Sequence, residues 1–215
     1  MSQSVVHQPV VFQGQFGEYT ITDRDRQGVL VYRVALLVAA IAFAMGSGLA
    51  LWQGADPTTL RFITPLYTVF VAALGVALWT IHIYMAALHR TLQLFWVVGV
   101  VGAIAAAHLD PQPFVQTVYE SLPALFGVGF TFAALTGIYF KEAFCFNRLE
   151  TKVLTPLVPF LLLGHLVGWL PILAEQVLLG IWAVLMLIFA IRKFSQPAAS
   201  DIGDKSVFEY LQTKH

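Results

Sequence analysis

Two histidines, His82 and His165, fall within long apolar stretches of the sequence and are the first candidates for chemistry. Ionisable side chains are costly to bury in a membrane, so such positions are candidate functional sites. Imidazoles on different helices at one depth could hold a haem. His82 and His89 share one face of one predicted helix. At 1.5 Å per residue, His82 is predicted to lie about 12 Å below the membrane boundary at Arg90, and His165 about 20 Å from the same boundary at Lys152. The two predicted depths therefore differ, which counts against a haem shared by these histidines. A single-histidine pigment ligand and an interhelical hydrogen bond both stay open as roles for either residue.

The other residue types used in catalysis or metal binding form no motif in this sequence. Cys145 is the only cysteine, which excludes an intrachain disulfide and an all-cysteine metal site. Ser47 lies in Gly-Ser-Gly and not in a nucleophile elbow. The sequence contains no Walker A, HExxH or CxxC pattern. We therefore expect no catalytic residue and no metal site. The acidic residues near His108 match no metal-ligand spacing, and they are Asp56, Asp110, Glu120 and Glu175.

A charged segment at residues 141–152 interrupts the apolar sequence and alternates charged residues with Phe and Leu. This pattern suits a turn at the lipid headgroups, with rings in the interface and charges in water. It also suits a docking surface, because exposed aromatic side chains among mixed charges are what a protein partner can bind. We predict partner-binding residues here, and they are Lys141, Glu142, Phe144, Phe146, Arg148 and Glu150.

The elements that must position these residues are membrane helices. The chain has 215 residues, of which 58% are hydrophobic and 11% charged, whereas soluble domains carry about 25% charged residues. The sequence predicts an all-α, polytopic bundle of six transmembrane helices, with a closing re-entrant segment as the alternative. One domain at 29–191 is flanked by cytoplasmic tails at 1–28 and 192–215. The predicted spans are 29–52, 62–88, 92–109, 122–140, 153–170 and 172–191.

Basic residues are distributed unequally between the two predicted membrane surfaces. The surface that carries both termini holds eleven, and the other holds only Arg61. Cytoplasmic loops carry an excess of Lys and Arg, so both termini are predicted to be cytoplasmic. Arg33 is interpreted as a residue of span one that extends to this surface. The eleven residues are Arg24, Arg26, Arg33, Arg90, Lys141, Arg148, Lys152, Arg192, Lys193, Lys205 and Lys214.

Two short segments resemble one another and indicate an internal repeat. Thr64-Pro65-Leu66 follows Arg61, and a second Thr-Pro-Leu at residues 155–157 follows Lys152 with the same spacing. Three spans separate the segments, so two halves related in this way would have opposite orientations, as in transporters built from 3+3 inverted repeats. The alternative is that Thr-Pro-Leu simply starts a membrane helix, where proline is tolerated.

Three segments resemble a known family when taken together. They are residues 12–22, the stretch from Arg33 to Gly48, and residues 141–156, which read KEAFCFNRLETKVLTP. They are similar to the integral-membrane family catalogued as domain of unknown function 2301, and the resemblance covers nearly the whole chain. It implies a cyanobacterial or chloroplast host, and a thylakoid or plasma membrane. It brings no activity and no catalytic residues.

The sequence supports three hypotheses for function. The first is a non-enzymatic accessory or assembly factor that acts through a membrane protein complex docking at the cytoplasmic face. The second is a small transporter or channel with inverted repeats. The third is a haem- or pigment-binding protein that uses His82 or His165. The lipid bilayer is the expected environment, the zero net charge gives no sign of a nucleic-acid partner, and no cofactor can be named.

Overall fold

Six long helices, each apolar enough to cross a membrane, form the body of the molecule, as the sequence predicts. The computed structural model describes residues 10–53 and 56–213, and Lys214 lies outside them. The six helices are joined by short connections, and a seventh, short helix lies between the third and fourth of them. In chain order these seven helices are α1 (Asp23–Gln53), α2 (Pro57–Thr80), α3 (Ala86–Leu109), α4 (Phe114–Glu120), α5 (Leu122–Phe146), α6 (Leu149–Leu166) and α7 (Ile172–Lys193).

Hydrogen-bonding caps set the starts of the first two helices. Thr22 and Asp25 form a reciprocal capping box, in which the Thr22 hydroxyl accepts from the Asp25 amide and the Asp25 carboxylate accepts from the Thr22 amide. α1 therefore begins at Asp23, within the predicted tail. The Asp56 carboxylate caps α2 by accepting from two backbone amides, and Pro57 occupies the first helical position.

The six spanning helices pack as a ring in chain order, in which each contacts the next and α7 closes against α1. Aromatic side chains fill the centre of the ring. The ring centroids of Phe43 and Trp182 are 4.5 Å apart, those of Phe132 and Trp182 5.1 Å, and those of Phe70 and Phe132 5.7 Å. These contacts join four of the six helices. The middle of the bundle is therefore packed with side chains.

A small folded layer covers one end of the bundle. Strands β1 (Val11–Gln13) and β2 (Glu18–Thr20) pair as an antiparallel hairpin. Two short helices, α8 (Ala198–Ile202) and α9 (Lys205–Thr213), follow α7. Ile21, Val29 and Ile202 form an apolar core beneath them. We call this layer the cap, and the end of the bundle that it covers the hairpin end.

Several predicted helix boundaries differ from the structure, and the end of the second span matters most for the candidate site. The second predicted span runs through His82, but α2 ends at Thr80 and residues 81–85 form an irregular connection. His82 and His89 therefore lie on separate elements. At the other end of the bundle, Asp110 follows the last residue of α3. Its carboxylate accepts from the Gln112 amide, and α4 begins only at Phe114.

Candidate functional site at the hairpin end

A fully buried ion pair joins the ends of α5 and α7. Lys193 Nζ donates to Glu142 Oε2 at 2.9 Å, and neither side chain is exposed to solvent. Glu142 Oε1 accepts from the Tyr32 hydroxyl at 3.1 Å and from Lys141 Nζ at 3.1 Å. The Lys193 ammonium also lies 4.7 Å from the centre of the Phe146 ring, within the range of a cation–π contact. Both charges are thus fully partnered by protein groups.

Asp201 extends this network from the spanning helices into the cap. Its carboxylate accepts from Arg33 Nε at 2.8 Å on one oxygen and from Lys193 Nζ on the other. Arg33 also donates to the Pro197 carbonyl at 3.2 Å. Since Asp201 lies on α8, the two cations fasten the cap to α1 and α7. We call the five charged residues the ionic cluster, and they are Arg33, Lys141, Glu142, Lys193 and Asp201.

Helical spacing explains why the two central charges are buried. Glu142 follows Leu135, Ile138 and Tyr139 on one face of α5, and all four have no exposed surface. On α7 the same spacing places Lys193 on one helical face with three fully buried apolar residues. This alignment is the sequence signal that could have located the pair. The α7 residues are Met186, Phe189, Ala190 and Lys193.

The interpretation of Arg33 as a residue extending to the membrane surface was wrong. Its side chain is only 9% exposed, and it reaches Asp201, which is 168 positions away in the sequence. Breaking a buried ion pair by removing one partner typically costs 3–5 kcal/mol, since the other charge stays buried. The ionic cluster therefore holds α1, α5, α7 and α8 in one fixed arrangement.

A second buried carboxylate secures the turn between α5 and α6. Glu150 accepts from Arg148 Nη1 at 3.3 Å and from Arg192 Nη1 at 2.9 Å. Its side chain is 4% exposed. The turn itself is only two residues long, and Asn147 adopts the left-handed conformation (φ 53°) that commonly ends a helix. The turn is therefore fixed from both sides, by Glu142 on α5 and Glu150 on α6.

Two apolar side chains project outward beside this fixed turn, one from each of the helices that it joins. Phe144 is 82% exposed and Leu149 is 75% exposed. Cys145, between them in sequence, is also exposed. On the opposite face of the same segment, Glu142 and Glu150 are buried. The segment thus has an inner face of carboxylates and an outer face of apolar side chains.

The six predicted partner-binding residues therefore fall into two groups. Phe144 lies on the surface, whereas Glu142 and Glu150 lie inside and are not accessible to a partner. The side chains of Lys141 and Arg148 are only 10% and 11% exposed, and each contacts a buried carboxylate. Phe146 is half-buried and contacts the buried ammonium. Leu149 was not among the predicted residues, although it has the second-largest exposed fraction of the segment's apolar side chains.

The two candidate cofactor ligands lie at opposite ends of the bundle. His82 is in the connection after α2, at the hairpin end, and its ring packs edge-on against Phe208 with centroids 6.4 Å apart. Burial, together with the nearby Lys141 charge, lowers the pKa of His82. His165 is in the last turn of α6, at the other end, and both its ring nitrogens contact protein groups. The two histidines therefore do not share a site.

Within the cap, polar contacts attach the hairpin to the residues at the start of α9. The Asp204 carboxylate accepts from the Gln15 amide at 2.7 Å and from the Ser206 hydroxyl at 2.7 Å. The Ser206 hydroxyl and the Gln15 amide both donate to the carboxylate, and they lower the pKa of Asp204. Phe16 stacks on Tyr210 with centroids 4.0 Å apart. The hairpin is thus held to the C-terminal helices at several points.

The fold and the buried charges define an integral membrane protein of six spanning helices with an ordered cap at one end. The model of a family described as an uncharacterized integral membrane protein (DUF2301) matches residues 76–210. The match covers more than half of the chain, so the chain belongs to this family. The matched region contains Glu142, Lys193 and Asp201, whereas Arg33 precedes it. Neither the curated proteins nor the solved structures contain a match to this chain.

Proposed function

We propose that this protein is a non-enzymatic accessory or assembly factor that docks a membrane protein partner at its hairpin end. The observation that carries the proposal is the pair of exposed apolar side chains, Phe144 and Leu149, on either side of a turn fixed by two buried carboxylates. A preformed apolar anchor binds without first having to be ordered, which lowers the cost of association. Aromatic anchors of this kind dominate the energetics of many protein interfaces.

The charges around the anchor set the chemistry of the partner. Lys152 is exposed one turn into α6, and the side chain of Arg192 is 54% exposed. An apolar pocket with acidic groups at its rim matches this arrangement. The occupant that we propose is therefore a membrane protein presenting such a pocket at the lipid headgroup level.

The distribution of basic residues supports a cytoplasmic position for the hairpin end. Ten of the eleven basic residues assigned to this surface lie within the described part of the chain, on elements at the hairpin end. Arg61, in the second turn of α2, is at the other end. The positive-inside rule then orients the cap and the exposed turn toward the cytoplasm.

The sole cysteine of the chain offers a direct test of this orientation. Cys145 is exposed at the hairpin end, so a membrane-impermeant maleimide should label it in sealed inside-out vesicles and not in sealed right-side-out vesicles. The Cys145→Ser variant is the control for labelling of other groups. Labelling confined to right-side-out vesicles would reverse the orientation.

Transport is the weaker candidate. In its favour, each Thr-Pro-Leu segment lies in the first half of a spanning helix, and α2 and α6 run from opposite ends of the ring. Against it, the aromatic side chains of Phe43, Phe70, Phe132 and Trp182 occupy the centre, where a substrate would have to pass. A haem bridged by His82 and His165 is disfavoured because they lie at opposite ends.

Removing the two apolar anchors tests the docking proposal. Phe144→Ala combined with Leu149→Ala should reduce recovery of the co-purified partner from host membranes about 30-fold, the effect of losing about 2 kcal/mol at a hot spot. The expression level and the unfolding midpoint should not change, since both side chains are exposed.

The matched control changes two apolar side chains on α6 that face outward within the membrane. Val153 is 40% exposed and Phe160 is 46% exposed, so Val153→Ala combined with Phe160→Ala truncates one aliphatic and one aromatic side chain, as the test variant does, but away from the turn. This control should retain the partner. Equal recovery of the partner with wild type and with both double variants would show that Phe144 and Leu149 do not bind it.

A further inference from the structure

At the end of the bundle opposite the cap, we propose that His165 and Glu175 form a proton-binding site that fastens α4 to α6 and α7 while the proton is bound. The proposal goes beyond partner docking and does not depend on it. It rests on hydrogen-bond geometry among three elements that meet at this end, and we call these three residues, Tyr119, His165 and Glu175, the clasp.

His165 is held on both ring nitrogens. Nδ1 lies 2.7 Å from Glu175 Oε1, and Nε2 lies 2.9 Å from the Tyr119 backbone carbonyl oxygen. The Tyr119 hydroxyl donates to the other Glu175 oxygen, Oε2, at 2.9 Å. The Tyr119 and His165 rings also pack together, with centroids 4.5 Å apart. One residue from each of α4, α6 and α7 therefore closes a small hydrogen-bonded loop.

Counting protons shows that this loop needs one more than neutral imidazole and an ionised carboxylate supply. A carbonyl oxygen can only accept, so Nε2 must carry a hydrogen. In neutral imidazole Nδ1 would then be an acceptor, facing a carboxylate oxygen that is also an acceptor. Two acceptors 2.7 Å apart repel one another. The contact is favourable only when a proton lies between them, and an imidazolium paired with a carboxylate provides it.

Within the described residues, the Glu175 carboxylate forms no ion pair with a lysine or arginine side chain, so the charge paired with it is that of His165. On α7 the group facing His165 is Glu175, and on α4 it is Tyr119. Glu120, also on α4, accepts from the side chain of Gln116 at 3.0 Å. The side chains of His165 and Glu175 are 19% and 12% exposed, so solvent can reach the pair. Histidine is the side chain whose charge ordinarily changes near neutral pH.

Loss of the proton leaves the imidazole one N–H, which can donate to Glu175 or to the Tyr119 carbonyl oxygen but not to both. The charged carboxylate is the stronger acceptor, so the contact that is lost is the one to α4. α4 is seven residues long, and two of them, Phe114 and Thr117, are buried. The Tyr119 carbonyl is its polar attachment to α6, and the Tyr119 hydroxyl its attachment to α7. The sign follows from the proton count: the closed clasp binds one proton more than the open one, so it is closed at low pH and opens as pH rises.

The test measures the proton and the helix separately. Histidine-selective ¹⁵N NMR of the full chain in detergent, between pH 5 and pH 9, should show His165 protonated on both nitrogens at pH 5 and on one at pH 9. The His165→Gln variant identifies the signal. A nitroxide attached through Glu120→Cys in a Cys145→Ser background should become more mobile over the same pH interval.

The Glu175→Gln variant is the decisive control. Its amide N–H can donate to a neutral Nδ1, and its amide oxygen can accept from the Tyr119 hydroxyl, so the clasp needs no extra proton. In this variant the nitroxide should stay immobile from pH 5 to pH 9. The proposal is overturned if His165 carries a single proton throughout the range in wild type, or if Glu175→Gln mobilises the nitroxide with the wild-type pH dependence.

Discussion

The two ends of the bundle are held together by polar contacts of different kinds. At the hairpin end, Glu142 and Lys193 are fully buried and belong to a network of five charges. At the other end, His165 and Glu175 form one partly exposed pair with Tyr119. A fully buried network loses much of its stability when one member is removed, whereas a pair that solvent can reach loses less, because water can replace the missing partner. The comparison indicates one end that stays fixed and one end that can open.

This difference fits the roles proposed for the two ends. A docking surface benefits from a fixed shape, and at the hairpin end Phe144 and Leu149 project from helices that the buried carboxylates secure. A site that responds to pH needs a group that exchanges protons with solvent, and the solvent-accessible His165 meets that need. Substitutions at the hairpin end should therefore cost more stability than substitutions at the other end.

Lys193→Met should be the most destabilising of the single changes. It leaves Glu142 and Asp201 buried without the ammonium that joins them, at an expected cost of about 3 kcal/mol. The measurement is the unfolding free energy in detergent, from SDS titration. Lys152→Met, which removes an exposed lysine of α6, is the control and should change stability by less than about 0.5 kcal/mol. Equal effects from the two variants would contradict the assigned role of Lys193.

Asp201→Asn should have an intermediate effect that is confined to the cap. The amide keeps one acceptor oxygen, but it loses the charge that Arg33 and Lys193 share, at an expected cost of about 1–2 kcal/mol. Release of α8 should expose the chain after Lys193, so tryptic cleavage there should accelerate about 10-fold. Asp23→Asn, an exposed change at the same end, should leave the cleavage rate unchanged. A cleavage rate in Asp201→Asn equal to wild type would show that the cap is held by other contacts.

Tyr119→Phe should have the smallest effect. It removes the hydrogen bond to Glu175, but Tyr119 is 50% exposed and water can replace the hydroxyl. We expect a loss below about 1 kcal/mol in the same SDS titration. A loss as large as that of Lys193→Met would mean that the two ends do not differ in the way described here.

The six spans could be predicted from the sequence because each is a long apolar run, and lipid admits few alternatives to a helix. The helix ends were predicted less well. α2 stops at Thr80 although apolar residues continue beyond it, and α5 extends through Glu142 to Phe146 although the sequence becomes charged at Lys141. In both cases packing, and not local composition, decides where the helix ends.

The ionic cluster could be predicted only in part. Glu142 and Lys193 each continue an apolar helical face, which is visible in the sequence. Arg33 and Asp201 meet only because the chain folds back after α7, and no local pattern indicates contacts across 168 positions. The charged segment at residues 141–152 contains the turn, but most of it is helical, and the sequence could not show which of its charged residues face inward.

The central claim is that direct coupling between Glu142 and Lys193 fixes the end that carries the docking surface. A double-mutant cycle with Glu142→Gln, Lys193→Met and the combined variant tests it most directly, again by SDS titration. The account predicts that the double variant is more stable than the sum of the single effects implies, by about 1.5–3 kcal/mol. Single effects that add within about 0.5 kcal/mol would contradict it.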